Sequence, residues 1–163
     1  MTALTLRLLG SALLIAAGTL LGSGRLAGMK RRLRCLRALC EGLGRMAAEL
    51  ETLQSPLGEL LAHLRDLPFF ELVAAGFGGE PFAKLWRRAA ETLPISAEER
   101  AVLAAPGELL GRCDARRACA ELTLARKSLT RRADALEREI ALRGRRFAGL
   151  GAALGAIVAA ILF

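Results

Sequence analysis

Hydrophobic positions recur at helical spacing through the middle of the chain, and no segment alternates in the way a strand does. Large apolar residues separated by three or four positions predict a narrow, coiled-coil-like stripe on one helix near residues 29–53. The stripe consists of Leu36, Leu39, Leu43, Met46, Leu50 and Leu53, widened by Leu33, Cys40 and Ala47. A second stripe predicts another long helix and consists of Leu122, Ala125, Leu129, Ala133, Leu136 and Ile140. The pattern therefore predicts an all-α fold with two long helices.

Shorter helices are expected between the two stripes. Pro56 suits the first turn of a helix that ends near Leu67. The following segment contains two prolines and three glycines, which predicts a short helix and a loop, and another helix is expected over Pro81–Thr92. The phenylalanines of residues 67–82 are expected to anchor the core, and they are Phe69, Phe70, Phe77 and Phe82.

Capping signals mark the starts of the last two helices. Ser96 and Glu99 have the Ser-x-x-Glu spacing of a capping box, which starts a helix. Pro106 and Gly107 are expected to break or kink that helix near its end. Asp114 is a candidate N-cap for the final long helix, which we expect to continue towards the C-terminus.

Both ends of the chain are apolar and uncharged. Residues 8–24 and 147–163 are each 17 residues long, or about 25 Å as helices, which is close to the shortest length that spans a bilayer. A cleaved signal peptide would be basic before its apolar run, whereas here a single arginine, Arg7, precedes the run and a cluster of basic residues follows it. We therefore predict a transmembrane helix in residues 1–24, a cytoplasmic all-helical domain in residues 25–146 and a second transmembrane helix in residues 147–163.

Basic residues flank each apolar segment on the side that faces the middle of the chain. These membrane-flank residues are Arg25, Lys30, Arg31, Arg32, Arg34, Arg143, Arg145 and Arg146. By the positive-inside rule they keep the middle of the chain in the cytoplasm, and they are expected to contact anionic lipid headgroups.

Each apolar segment also carries two glycines four residues apart. Gly18 and Gly22 share one helix face in the first segment, as do Gly151 and Gly155 in the second. Small residues at this spacing allow two membrane helices to approach closely. We expect these faces to pack against each other or against neighbouring subunits.

The excess of basic residues raises the question of whether the chain binds nucleic acid. The chain is 53% hydrophobic, yet it has 24 Lys and Arg against 16 Asp and Glu, for a net charge of +8. An excess of this size also occurs in nucleic-acid-binding proteins. However, the chain has no Tyr, a single Trp and no recognisable nucleic-acid motif, and its basic residues are densest beside the apolar ends. Lipid, rather than nucleic acid, is the expected partner of these charges.

The chain offers little sign of catalysis. Cys35, Cys40, Cys113 and Cys119 lack the Cys-x2-Cys spacing of a zinc site, and they suit packing better than disulfides in a reducing cytoplasm. His63 is the single histidine, and the glycine-rich segment near residue 78 lacks the Lys-Ser/Thr of a phosphate-binding loop. We therefore predict no catalytic residue, no metal and no cofactor. The residues alone indicate a membrane-anchored helical adaptor rather than an enzyme.

The order of these features resembles the stage III sporulation protein AB family of endospore-forming bacteria. The stretch LQSPLGELL, which contains Pro56 and Leu57, is similar to the element that opens the family's second helix. The step Leu110-Gly111-Arg112-Cys113-Asp114 is similar to the one that introduces its last long helix. The resemblance covers nearly the whole chain, although Glu49-Leu50-Glu51 lacks the aromatic residue expected before the Ser-Pro element. It implies a structural or partner-surface role for Pro56, Leu57, Gly111 and Asp114.

The resemblance also implies a function. A member of this family would be a non-enzymatic platform subunit of the stage IIIA complex, similar to the inner-membrane platform protein of type II secretion and type IV pilus systems. It would lie in the mother-cell membrane around the forespore, with its helical domain in the mother-cell cytoplasm. Its partners would be a secretion-type ATPase and the other stage IIIA membrane proteins, and a homo-oligomer is compatible with this role. The alternatives are a small membrane-perturbing hairpin protein, such as a pore former, a tethered enzyme and a generic helical adaptor.

Overall fold

The computed structural model describes the backbone of residues 2–52, 56–110 and 114–162, and the side chains of residues 25–52, 56–110 and 114–143. Over these residues the chain forms six helices: α1 Thr2–Thr52, α2 Leu57–His63, α3 Pro68–Ala75, α4 Phe82–Glu91, α5 Ala97–Leu109 and α6 Ala115–Leu162. An isolated bridge between Phe77 and Glu80 is the single β-type pairing in these ranges. The prediction of an all-α fold is therefore confirmed.

The chain divides into two compact units. One contains residues 32–139, and the other contains residues 1–31 together with residues 140–163. In the part of the chain whose side chains are described, no helix is both long and apolar enough to cross a bilayer. The two predicted transmembrane segments, residues 1–24 and 147–163, lie outside that part, so they remain predictions.

Within the unit of residues 32–139, α1 and α6 pack side by side as an antiparallel pair. Three side-chain contacts define the pairing: Arg37 Nη2 to Asp134 Oδ1 at 2.8 Å, Thr130 Oγ1 to Cys40 Sγ at 3.4 Å, and Cys119 Sγ to the Ala47 carbonyl at 3.6 Å. Residue numbers rise along α1 as they fall along α6. The chain therefore enters this unit and leaves it at the same end of the pair.

The two predicted hydrophobic stripes form the core of this pair. The first stripe is buried from Leu36 to Met46, and Leu50 is half-buried. The second is buried from Leu122 to Leu136, and Ile140 is half-buried. Burying a leucine side chain stabilises a fold by about 1.5–3 kcal/mol, so these stripes are a large part of what holds the two helices together.

Aromatic residues pack the shorter helices together. The rings of Phe69 and Phe70 lie edge-on to Trp86, with centroids 4.8 and 5.9 Å away. Trp86 is fully buried, and its Nε1–H donates a 2.7 Å hydrogen bond to the carbonyl of Leu103. This bond joins α4 to α5 and satisfies the one polar atom of the indole.

The prediction that all four phenylalanines anchor the core is wrong for Phe77. Its side chain is 44% exposed, because it follows the end of α3 and precedes the turn at Gly78, where φ is +97°. Phe77 lies against Phe82, which is half-buried. The anchors are therefore Phe69 and Phe70.

Helix boundaries differ from expectation at two places. α2 ends at His63 rather than near Leu67, and turns replace the last predicted residues. α5 continues through Pro106 to Leu109, so the proline does not end the helix. A proline removes one backbone hydrogen bond from a helix, because it has no N–H. Three helical residues follow Pro106, and the Pro106 carbonyl accepts a hydrogen bond from the Leu110 N–H at 2.9 Å.

Candidate functional site

A partly buried ion pair joins the start of α5 to α1. Glu99 is 1% exposed, and its carboxylate accepts two hydrogen bonds from the Arg32 guanidinium, at 3.0 Å from Nε and 2.7 Å from Nη2. The Ser96 backbone N–H donates to the same carboxylate at 2.7 Å, and the Ser96 hydroxyl accepts from the Glu99 backbone N–H at 3.2 Å. The predicted capping box is therefore confirmed, and its glutamate has a second role as the partner of Arg32.

The ionised state of Glu99 depends on these partners. Burial raises the pKa of the Glu99 carboxyl, but the hydrogen bonds from Arg32 and Ser96 and the charge of Arg32 outweigh it, so the pKa is lowered overall. The hydrogen bond to Glu99 in turn raises the pKa of Arg32. Both groups are thus charged at neutral pH. The charge of Arg32 is needed, because a buried carboxylate without a cationic partner destabilises the fold.

A second ion pair ties the same turn of α5 to α6. Arg132 Nη1 lies 2.7 Å from Glu98 Oε2. We call the four residues Arg32, Glu98, Glu99 and Arg132 the α5 clasp. It connects one short helix to both long helices at the end where the chain enters and leaves the unit.

The predicted membrane-flank residues fall into three groups. Arg25, Lys30, Arg31, Arg34 and Arg143 have exposed side chains. Arg32 is 37% exposed, and its guanidinium is held by Glu99. The side chains of Arg145 and Arg146 lie outside the described residues.

The sequence predicted only one of the two roles of Glu99. The capping box indicated that Glu99 lies in the first turn of a helix, but nothing in the sequence linked it to Arg32, which is 67 positions away.

The predicted helix-packing glycines all fall in α1 or α6. Gly18 and Gly22 belong to α1, and Gly151 and Gly155 belong to α6. Their surroundings lie outside the described side chains, so their proposed packing remains a prediction.

The predicted partner-surface residues are separated along the chain. Pro56 is exposed at the N-cap of α2, and Leu57 is half-buried in its first turn. Asp114 is exposed immediately before α6, and its backbone carbonyl accepts from Ala118 at 3.1 Å. Gly111 lies outside the described residues. The function of these residues in partner binding, and the Asp114 side chain as a cap, remain predictions.

The outward face of α6 is an exposed basic surface. Its residues share a narrow strip of the helix and are all exposed: Arg117, Ala120, Leu124, Lys127, Arg131, Ala135 and Arg138. We call this strip the basic ridge. Three acidic residues of α6 border the ridge: Glu121 and Glu139 lie about 60° around the helix from Leu124 on one side, and Asp134 lies about 80° from Leu124 on the other side, next to Lys127. Asp134 pairs with Arg37, as does Glu137, which lies further from the ridge.

Leu124 is the prominent apolar residue of the ridge, and shallow depressions adjoin it on both sides. The side chain is 62% exposed. One depression lies between α5 and α6 and includes Val102, Ala105 and Ser128; the other is bordered by Glu51 of α1. Sequence analysis did not single out this surface, because the pattern of large apolar residues drew attention to the leucine stripes, which are buried.

Comparisons with known proteins give a consistent result. A family profile described as stage III sporulation protein AB matches residues 7–163. A solved structure titled stage III sporulation protein AB is similar, with a TM-score of 0.60 and 21% sequence identity over 68% of this chain and 97% of that chain. At this identity the structural likeness concerns the fold. No curated protein matches the chain.

Proposed function

Since the chain belongs to the stage III sporulation protein AB family, we propose that it is a non-enzymatic platform subunit of the stage IIIA sporulation complex. In this role it is anchored in the mother-cell membrane by both apolar ends, and its helical unit binds a secretion-type ATPase and other membrane proteins of the complex. It would couple the ATPase to assembly across the envelope.

The observation that carries the proposal is the antiparallel pairing of α1 and α6. Contacts near Arg37 and Asp134 lie at the end where the chain enters and leaves the unit of residues 32–139. A domain anchored at one membrane by two segments needs its two connections at one end. The exposed basic residues that flank this unit, such as Lys30 and Arg143, suit an anionic membrane surface.

The α5 clasp suggests how a partner's force would reach the long helices. Arg32 and Arg132 tie α5 to α1 and α6, and Trp86 ties α4 to α5. These contacts hold α4 and α5 against the antiparallel pair, so a partner that binds the short helices would be connected to the two long helices.

The test is co-purification from sporulating cells. We expect the tagged, gently solubilised full chain to recover the secretion-type ATPase and the other stage IIIA membrane proteins, identified by mass spectrometry. The control is a partner pair known to survive the same solubilisation. If that pair is recovered and the stage IIIA proteins are not, the platform proposal fails, and the membrane-perturbing hairpin is the next hypothesis to test.

A further inference from the structure

The basic ridge of α6 has the chemistry of a docking surface for a helix. It combines four cationic side chains with one exposed leucine, and the small side chains of Ala120 and Ala135 leave room beside them. An isolated exposed leucine is ordinary on a protein surface. An exposed leucine between two depressions on an otherwise cationic strip has the arrangement of an apolar anchor with a charged rim.

The spacing of the ridge matches a helix rather than an irregular ligand. Arg117, Leu124, Arg131 and Arg138 recur every seven residues, a repeat of about 10.5 Å along α6. A helix laid alongside with its own heptad repeat meets the same spacing. Three of the four positions in this repeat are arginines, so the charges lie in the line of contact and would face acidic residues of the partner at the same spacing.

We propose that the basic ridge binds an acidic amphipathic helix of a partner protein, with Leu124 inserted between that helix's apolar residues. The inference rests on the proposed function only in taking the partner to be a protein of the same complex. Charge complementarity indicates an acidic partner, because the ridge carries Arg117, Lys127, Arg131 and Arg138. Glu121 and Glu139 lie at one edge, and Asp134, at the other edge, is paired with Arg37 of α1.

Lipid and nucleic acid fit the ridge less well. An amphipathic helix that lies in a membrane buries a broad apolar face, but the apolar face of α6, with Leu122 and Leu129, is already buried in the unit. Single-stranded nucleic acid is bound by stacking on aromatic rings, and the ridge has none. A protein helix uses both the charges and the leucine.

The experiment is site-specific photo-crosslinking of the full chain in sporulating cells. A photo-reactive residue replaces Ala120 on the ridge, and a matched control replaces Ala62, an exposed alanine of α2. We expect position 120 to give a protein product that position 62 does not give, and peptide mapping to place the crosslink in an acidic helical segment. Equal labelling at both positions, or a crosslink to lipid, nucleic acid, a second copy of this chain or a non-acidic segment, would overturn the proposal.

Charge reversal gives the second arm of the test. We expect Arg131→Glu to lower the crosslink yield from position 120 at least about tenfold, because it places like charges against each other, while Arg65→Glu leaves the yield unchanged. Reversing acidic residues in the mapped segment to Lys should restore the yield with Arg131→Glu. Equal effects of Arg131→Glu and Arg65→Glu, or no rescue, would refute the ridge.

The two proposals fail in different ways. If co-purification of the stage IIIA proteins persists while the ridge crosslink is absent, the platform role stands and the docking surface is elsewhere. Circular dichroism of each variant, with a thermal midpoint equal to that of the parent, separates lost binding from lost folding.

Discussion

At the scale of single residues, Glu99 and Gly107 carry constraints that their side chains alone do not suggest. Glu99 is a charged residue in the core, stabilised by the Arg32 guanidinium and the Ser96 backbone. At Gly107 an added Cβ would overlap Cδ1 of Trp86, because the indole packs directly on the α5 backbone. Gly42 of α1 is similar, since an added Cβ would overlap the ring of Phe70.

Glu99→Gln tests the ion pair between Glu99 and Arg32. The amide keeps the shape of the side chain but leaves Arg32 without its counter-charge. Because Arg32 is 37% exposed, water offsets part of this loss. We expect Glu99→Gln to lower the free energy of unfolding by about 1–3 kcal/mol. Urea unfolding of the purified full-length chain measures it. Glu98→Gln is the matched control, because Glu98 is 78% exposed and its pair should matter by less than about 1 kcal/mol. Equal losses from the two changes would contradict the assignment.

The same pair predicts a pH dependence. The pKa of Glu99 is lower in the folded protein than in the unfolded chain, so its stabilisation is present above the unfolded value, about 4.3 for Glu, and is lost as pH falls through the folded value. The difference in unfolding free energy between the parent and Glu99→Gln should therefore be full near pH 7 and shrink below about pH 4. A difference that stays constant down to pH 3 would show that the carboxylate charge is not responsible.

Gly107→Ala tests the contact with Trp86. The methyl group cannot fit without moving the indole or α5, and overpacking of this kind costs about 1–3 kcal/mol. Trp86 is the single tryptophan, so its fluorescence reports the change directly, with a red shift if the ring becomes more exposed. Gly79→Ala is the control, because its added Cβ would meet its nearest neighbour at an ordinary 3.7 Å.

At the scale of elements, α5 is the helix that connects the others. Its first turn carries the capping box and two members of the α5 clasp, its middle accepts the Trp86 hydrogen bond at Leu103, and its last turn packs on Trp86 through Gly107. Arg87 of α4 adds an exposed ion pair with Glu108. These contacts hold α5 in place on both sides of Pro106, and the helix continues past the proline.

Ser96→Ala tests how far the cap sets the start of α5. Loss of the hydroxyl that accepts from the Glu99 N–H should cost about 1 kcal/mol. The cost is measured by thermal unfolding, with Ser96→Thr as the variant that retains a capping oxygen. If Ser96→Thr destabilises as much as Ser96→Ala, the capping hydrogen bond is not the cause.

Gly151→Leu tests the predicted packing of the C-terminal apolar segment. A large side chain on the small-residue face should keep two membrane helices apart, and so reduce assembly of the stage IIIA complex. Recovery of complex partners is the measurement, and the helical signal of the unit of residues 32–139 should be unaffected. Normal assembly with Gly151→Leu would remove the packing hypothesis.

At the scale of the whole molecule, the unit of residues 32–139 has a core of its own. It combines the two buried stripes, the aromatic cluster around Trp86 and the α5 clasp. We therefore expect residues 25–146, produced alone, to fold as a monomeric helical bundle. Cooperative thermal unfolding by circular dichroism and a monomer mass in sedimentation are the expected results. An unfolded or aggregated fragment would show that the apolar ends are needed for folding.

Periodicity accounts for what the sequence by itself determined. Apolar residues at three- and four-residue spacing predicted α1, α6 and their buried faces, and Ser96 with Glu99 predicted the start of α5, because these signals depend on residues close together in the chain. The family resemblance was also visible from the order of elements, and the family profile confirms it.

Only the tertiary structure decided which residues meet across long separations. It paired Arg32 with Glu99, placed Gly107 against Trp86 and left Phe77 exposed. The basic ridge is what α6 exposes once its apolar side is buried. Local sequence specifies the face of a helix that avoids water, whereas packing against other helices decides which polar residues become partners and which remain available to another protein.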